Sequence, residues 1–497
     1  VTILDLFDAA RAERPDGLAL NDQTYEQLQT GASRVARRLT ELGLKRGERL
    51  ALYCENRLAF VYAYLAALRL GAIVVPVNVL YRAAELEHVL ADAGVALMLT
   101  SHATHPHVPA TYAAATVDAR ELEAWAGDAS LPATDATPAP SADDDAVIIY
   151  TSGTTGRSKG AVLTHTNVAA IAVQVAAAWR WSSRDTLYMA LPFFHMHGLG
   201  AALNGTFASG GRMLFDERFD AARTLERLRG SDVTMFFGVP TMYVRLLEAA
   251  PGPVPQLRLW VSGSAALAPD VFAAFERRFG VRILERYGAT EFGFACSNRF
   301  GGPRVPGSVG IPTPGARVRV AGPGSLEALP PGEVGELLVA GPGVCRGYWN
   351  DGAATAAAFG VDGEQTRWYR SGDLARYDAA NDVYRIVGRL KELIITGGFN
   401  VYPLEVENEL DRLPGIRASA VIGVPDPVRG ELPVAYVEAE GEIDLAALRA
   451  ALGERLASFK VPREILTVAA LPRNALGKVE KHRLRAAYAT EGAASEK

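Results

Sequence analysis

The chain has 497 residues, a formal net charge of −5, and 49% hydrophobic and 22% charged residues. That length exceeds what one hydrophobic core serves, so two or more domains are expected, and the slight acidity gives no electrostatic reason to expect a nucleic-acid partner. The three cysteines, Cys54, Cys296 and Cys345, are scattered and odd in number, with neither zinc spacing nor a disulfide framework, which fits a reducing compartment.

In chain order, the opening "VTILDLFDAARAERPDGLAL" is an amphipathic helix pattern broken by charges, without the apolar core of a signal peptide. No stretch reaches the roughly 18 uninterrupted apolar residues of a membrane span, so a cytoplasmic protein without membrane contact is expected. Thr24 can cap a helix ending near Gly43, followed by the strand "RLALYC", a helix through Leu70, the strand "AIVVPV", another helix and "VALMLTS". Such alternation predicts α/β architecture, with parallel-rich sheets covered by helices. His102, His105 and His107 cluster on a loop that brings no cysteine or acidic ligand, a weak basis for a metal site. Residues 101–142 read as a variable connection with helix near "ARELEAWA". Order returns at "AVIIYTSG", and "DTLYMALP", "RMLFD", "VTMFFGVP", "LRLWVSGS" and "RILERYG" continue the strands. From about residue 310 to 389 the pattern becomes a smaller β-rich unit, within an N-terminal region of residues 1–389. Residues 390–497 read as a separate α+β domain whose end, "AAYATEGAASEK", looks frayed.

The stretch "YTSGTTGRSKG", residues 150–160, presents glycines, hydroxyls and a lysine. Backbone N–H groups and hydroxyls without bulk suit phosphate oxygens, and the lysine adds a mobile charge. It is not a Walker loop, because Lys159 is followed by Gly160 rather than by a hydroxyl for magnesium. Composition alone leaves a plain surface turn open.

The loop is followed, in order, by "ALPFFHMHG", "VSGSAAL", "ERYGATE", "YRSGDLARYD", "GRLKELIITGGFNVYPLEVE" and "LPRNALGKVEK". This series resembles the adenylate-forming superfamily of acyl-CoA synthetases, luciferases and peptide-synthetase adenylation domains over essentially the whole chain. The resemblance implies activation of a carboxylic acid by ATP, with pyrophosphate released, then transfer to the thiol of CoA with AMP as leaving group. Both steps need phosphate charge neutralised and reactants aligned.

By that resemblance, Thr151, Ser152, Gly153, Thr154, Thr155 and Lys159 hold the β- and γ-phosphates. Thr290 touches the α-phosphate, and Glu291 ligates Mg2+, a hard oxygen for a hard cation. Tyr287 stacks on adenine, with Ser264, Ala265 and Ala266 as the facing wall and Glu285, Arg286 and Gly288 in the same nucleotide-binding segment. Asp373 accepts the ribose hydroxyls and Arg389 reaches ribose or phosphate. His195, which alone would read as structural, borders the acyl pocket. Lys478 resembles the catalytic lysine of adenylation, bridging carboxylate and α-phosphate. Lys391 occupies the hinge about which a small C-terminal lid rotates between two poses. The second pose withdraws Lys478 and opens a pantetheine channel at Gly397 and Gly398, where a side chain would obstruct.

Arg245, one turn into a helix, and Arg286, at a strand end, are both expected to face the acyl pocket. An unpaired guanidinium is costly to bury in a pocket for a purely apolar acid, so a second, distal carboxylate on the substrate is implied. Here the resemblance narrows to malonyl-CoA synthetases, in which arginines at these positions, with the serine matching Ser264, contact malonate; the pair could instead be ion-paired structural residues. Ala289 is smaller than the family's usual residue and Phe292 and Phe294 add aromatic bulk, which leaves methylmalonate or another short acid open. A fatty- or aryl-acid CoA ligase is the alternative on the same scaffold. The expected partners are small molecules alone, with a monomer or weak homo-oligomer as the assembly.

Overall fold

The computed structural model describes residues 1–133, 139–151, 158–230, 232–249, 254, 257–441, 443–474 and 477–495. Among these the strands form four sheets of nine, seven, five and five. In the nine-stranded sheet, Thr186–Met189, Met235–Gly238, Leu259–Ser262 and Leu284–Ala289 run side by side in parallel. The register sets Met189 opposite Phe237, Gly238 opposite Ser262 and Ser262 opposite Glu285, so the carboxyl ends of the first three strands lie at nearly one level and Leu284–Ala289 runs on beyond them. Open parallel sheets bind ligands at that edge. The seven-stranded sheet contains Arg49–Tyr53, Ile73–Pro76 and Val95–Thr100 in parallel, and an antiparallel hairpin of Asp145–Thr151 and Lys159–Thr164.

Between these sheets lies the helix Leu58–Arg69, of which Ala59 through Leu68 are all buried. Its sequence, "LAFVYAYLAALR", is apolar around the whole circumference, as a helix enclosed by two layers requires. Thr24 caps the next-door helix Tyr25–Glu41 with a reciprocal bond to Gln27, as the sequence predicts. Gly347–Tyr348 joins the seven-stranded sheet rather than the β-rich unit, whose antiparallel sheet is built from Arg317–Ala321, Gly335–Ala340, Phe359–Val361, Arg367–Asp378 and Val383–Arg389. The last sheet holds Ile394–Thr396, Phe399–Val401, Ile416–Asp426 and Gly430–Ala439, with Glu464–Val468 parallel on its edge. The three cysteines are buried free thiols. Among the described residues no helix is long and apolar enough to cross a membrane.

The expected frayed end is corrected: Lys481–Ser495 is a helix. The alanines there are strong helix formers, and Leu484 anchors the helix by packing, 5% exposed, in the same cluster as Tyr436 and Leu471.

Asn56 ties the two large sheets together. Its amide donates to the carbonyls of Leu191 at 2.8 Å and Asp216 at 3.2 Å, and its oxygen accepts the N–H of Phe193 at 2.8 Å. It thereby fixes the loop that carries His195. Asn56→Ala strands three buried backbone groups and is expected to destabilise the protein by about 2 kcal/mol or more. An unchanged urea-unfolding midpoint would contradict this.

Candidate active site

At the shared carboxyl edge, Leu284–Ala289 alternates its side chains. Glu285 turns away, 7% exposed, and accepts the N–H of Gly307 at 3.1 Å and that of Leu267. Burial raises its pKa to about 8. Arg286 turns the other way and is buried, 6% exposed. Its guanidinium lies 4.4 Å from the centroid of the Phe294 ring, and Nη2 donates to Ser264 Oγ at 3.4 Å. Nε has no hydrogen-bond acceptor, and among the described residues no carboxylate pairs with it. Burial pulls its pKa down to about 9. Gly263 is required here, since a Cβ at this position would lie 2.3 Å from Arg286 Nε. Ser264 adopts φ +70°, a strained conformation for a residue with a side chain, and such strain gathers at functional sites.

His197 is buried against Phe237, ring centroids 5.8 Å apart, with Nδ1 3.5 Å from Ser264 Oγ and Nε2 unpartnered among the described residues. It opens a π-helical turn, His197–Leu203. His195 Nδ1 accepts the His197 N–H at 3.3 Å. Burial first, and the Arg286 charge second, hold the His195 pKa down at about 4 and push that of His197 well below the ordinary value. Arg286, Ser264, His195, His197, Phe237 and Phe294 thus form one contiguous cluster, with His195 and Ser264 half-buried at its edge.

The structure does not bring Arg245 into this group. Its helix, Pro240–Ala249, buries Met242, Tyr243 and Leu246, leaving Arg245 exposed with its guanidinium 5.1 Å from the Phe219 ring centroid.

A second cluster adjoins the first. The Tyr287 hydroxyl donates to Asp373 Oδ2 at 2.6 Å, and Arg389 Nε meets Asp373 Oδ1 at 2.9 Å across the paired strands Arg367–Asp378 and Val383–Arg389. Phe292, 5.5 Å from Tyr287 between centroids, supports that ring rather than lining the Arg286 pocket. Thr290 and Asp373 are buried, Gly288 is half-buried, and Ala265 and Ala266 are exposed. Lys478 lies in the same charge environment: burial and the Arg389 charge lower its pKa, while Asp373 and Glu392 oppose the shift. Among the described residues its ammonium has no ion-pair partner. Its loop is closed by Asn474, which receives the Lys478 N–H at 3.0 Å, and Gly477 packs on Thr241, with a Cβ there only 2.9 Å from Thr241 Cγ2.

At the hairpin mouth Thr151 and Lys159 are register partners. Thr151 Oγ1 lies 3.5 Å and the Tyr348 hydroxyl 3.2 Å from Glu291 Oε1, and Tyr348 also meets the Tyr369 hydroxyl at 2.9 Å. Lys159 sits 5.4 Å from the Tyr348 ring centroid and 3.9 Å from Asp351. Sequence reasoning passed over Tyr348, Tyr369, Asp351, His197 and Asn56; the polar aromatic run "RGYWND" was the available signal. Ser152, Gly153, Thr154 and Thr155 lie outside the described residues. Lys391 is exposed in the turn Leu390–Glu392, and Gly397 and Gly398, at φ +56° and +84°, form an exposed hairpin turn remote from the Arg286 pocket's residues in sequence and in contact.

A hydroxyl- and lysine-bearing hairpin, a half-buried carboxylate and a buried cation without a carboxylate partner among the described residues are what an α/β enzyme that handles a nucleotide and a small acid requires. The family model for AMP-binding enzymes matches residues 7–349, and that for their C-terminal domain matches residues 405–478. The chain belongs to the AMP-binding enzyme family, as an ATP-dependent, AMP-forming acid–CoA ligase. It is 38% identical to a feruloyl-CoA synthase of Amycolatopsis, with 96% of this chain and 95% of that one covered. It is 36% identical to a sulfoacetate–CoA ligase of Cupriavidus necator, covering 93% and 92%. It is 33% identical to the mitochondrial malonate–CoA ligase ACSF3 of mouse, covering 94% and 88%. ATP-bound MatB from Rhodopseudomonas palustris superposes with a TM-score of 0.89 at 36% identity, covering 98% and 99%, against 0.78 for its apo form.

The buried imidazoles give a pH dependence. Burial holds the pKa values of His165 and His195 at about 4 and pushes that of His197 well below its ordinary value. Unfolded histidine takes up a proton near pH 6.5, so the unfolded state binds protons the folded state refuses. Stability is therefore expected to fall as pH drops from 6.5 towards 4, with a shallower fall in His165→Gln. Parallel urea-midpoint curves for the two proteins would contradict this.

Proposed function

We propose that this ligase activates malonate or a related short acid with a distal anion, methylmalonate among them, and transfers it to CoA. The observation that carries this reading is Arg286: a buried guanidinium with an open Nε and no carboxylate of its own. Burying such a charge is unfavourable unless a ligand completes it. A distal carboxylate would take charge-assisted hydrogen bonds from Arg286, with Ser264 and the neutral imidazole of His197 beside it. The name of the sulfoacetate relative supports a distal anion in this family, and that of the malonate relative a carboxylate.

The nucleotide would lie across the second cluster. Lys159 and Thr151 would face the outer phosphates, and Asp373 and Arg389 the ribose. Glu291 fits Mg2+: its half-buried carboxylate is touched by hydroxyls, no cationic side chain pairs with it among the described residues, and desolvation raises its pKa. Bound there, the ion would supply charge neutralisation for the polyphosphate. Residues 390–497 act as the lid, turning at Lys391. Lys478 approaches along the Thr241 side with its ammonium unpaired, as a group that must meet a developing negative charge requires. The higher TM-score against the ATP-bound relative supports an adenylation pose. Rotation would bring the exposed Gly397–Gly398 turn to the cleft for the thiol step.

A panel of acids scored by AMP release in the presence of CoA tests the substrate. Malonate or methylmalonate is expected to exceed acetate, octanoate, benzoate and ferulate; preference for ferulate or octanoate would favour the aryl- or fatty-acid alternative. Arg286→Ala should lower kcat/KM for malonate by about two orders of magnitude, as loss of one partner from a buried charge pair does, while sparing acetate. Lys478→Ala should abolish adenylation and leave thioester formation from synthetic acyl-adenylate largely intact; equal loss of both would contradict the two-pose reading.

A further inference from the structure

Lys481 opens the final helix, three residues beyond Lys478. Its ammonium reaches Glu407 Oε1 at 2.7 Å and Glu392 Oε2 at 3.0 Å. The three side chains are largely enclosed, at 13%, 12% and 25% exposure for Lys481, Glu407 and Glu392. Glu407 belongs to the helix Pro403–Leu410 and is itself fixed, accepting the Val421 N–H at 2.7 Å from the strand Ile416–Asp426. Glu392 ends the turn Leu390–Glu392, directly after Lys391. One cation, three residues beyond Lys478, therefore joins the turn after Lys391 to the helix that packs on the last sheet.

We infer that Lys481 is a positioning residue for adenylation, holding the Lys478 loop at a fixed distance from the pivot through Glu392. The inference rests on Lys478 being the adenylation lysine. A rotation at Lys391 places a remote ammonium accurately only if the segment between them does not bend. Asn474 bonds to Gly477 and Lys478, tying Lys478 to the strand side of its turn. What sets its place relative to the hinge is the bridge at its exit. The thiol step, from which Lys478 is withdrawn, has no need of that placement. The two half-reactions should thus separate when the bridge is cut.

The test compares the two half-reactions in the full-length enzyme, with Lys478→Ala as reference: malonate-dependent ATP–pyrophosphate exchange, and CoA thioester formation from synthetic malonyl-adenylate. Glu392→Gln removes only the hinge-side charge and leaves the Lys481–Glu407 pair, so the lid keeps its anchor. It is expected to slow exchange by about 10-fold or more, the scale set by small misplacements of catalytic groups, with the thioester step within about twofold. Lys481→Met should do the same, and Lys481→Arg should recover most of the exchange. Unchanged exchange in Glu392→Gln overturns the proposal, and so does equal loss of both half-reactions, which marks a structural role only. If Lys478→Ala retains exchange, the reading beneath the proposal fails and the proposal with it.

Discussion

A guanidinium enclosed among aromatic rings, with a nitrogen left open, is the constraint around which this site is organised. Arg286 is placed by its alternation on Leu284–Ala289, admitted by the missing Cβ of Gly263, and roofed by Phe294. Two neutral imidazoles stand beside it, kept neutral by the same burial. Nothing among the described residues neutralises the charge. A protein tolerates such an arrangement only when stability is subordinate to a ligand that completes it.

The pocket and the nucleotide cluster are two sides of one strand. Under our proposal Arg286 faces the acid, and the next residue, Tyr287, turns its hydroxyl to Asp373 on the β-rich sheet. Alternation along a strand puts an acid-facing and a nucleotide-facing side chain in consecutive positions. Acid and phosphate can then meet at a distance fixed by backbone geometry. The flanking strands end at the same level, which lets loops from Met189, Gly238 and Ser262 close over the same point.

The C-terminal residues form their own sheet and core, built on Val406, Leu410, Val421, Ala435 and Leu452, and reach the cleft through the Lys478 loop. A lid with its own core can turn as a body without losing its fold, at the cost of few contacts. The unpaired Lys478 and the paired Lys481 divide the labour under our proposals: one cation is left free for chemistry, and its neighbour is spent on geometry.

Much of this was legible in the sequence. Alternating helix and strand periodicity predicted the layered α/β fold, Thr24 announced its cap, and the ordered motifs brought Arg286, Tyr287, Asp373, Arg389 and Lys478 forward as candidates. These signals are local, carried by side-chain period and turn chemistry. The final helix was misread because its alanines carry little hydrophobic period, and its anchor, Leu484, is identified only by what it packs against. That Arg245 stands apart from Arg286 was not legible for a related reason: a helix position does not reveal which flank of the helix the neighbouring layers cover. Asn56, Tyr348 and the Lys481–Glu392–Glu407 bridge are contacts between residues far apart in the chain. Sequence by itself determined the elements, their order and the chemical types available to the cleft; only the tertiary structure decided which of those groups are buried, paired or left open, because desolvation and ion pairing depend on the surrounding packed layers.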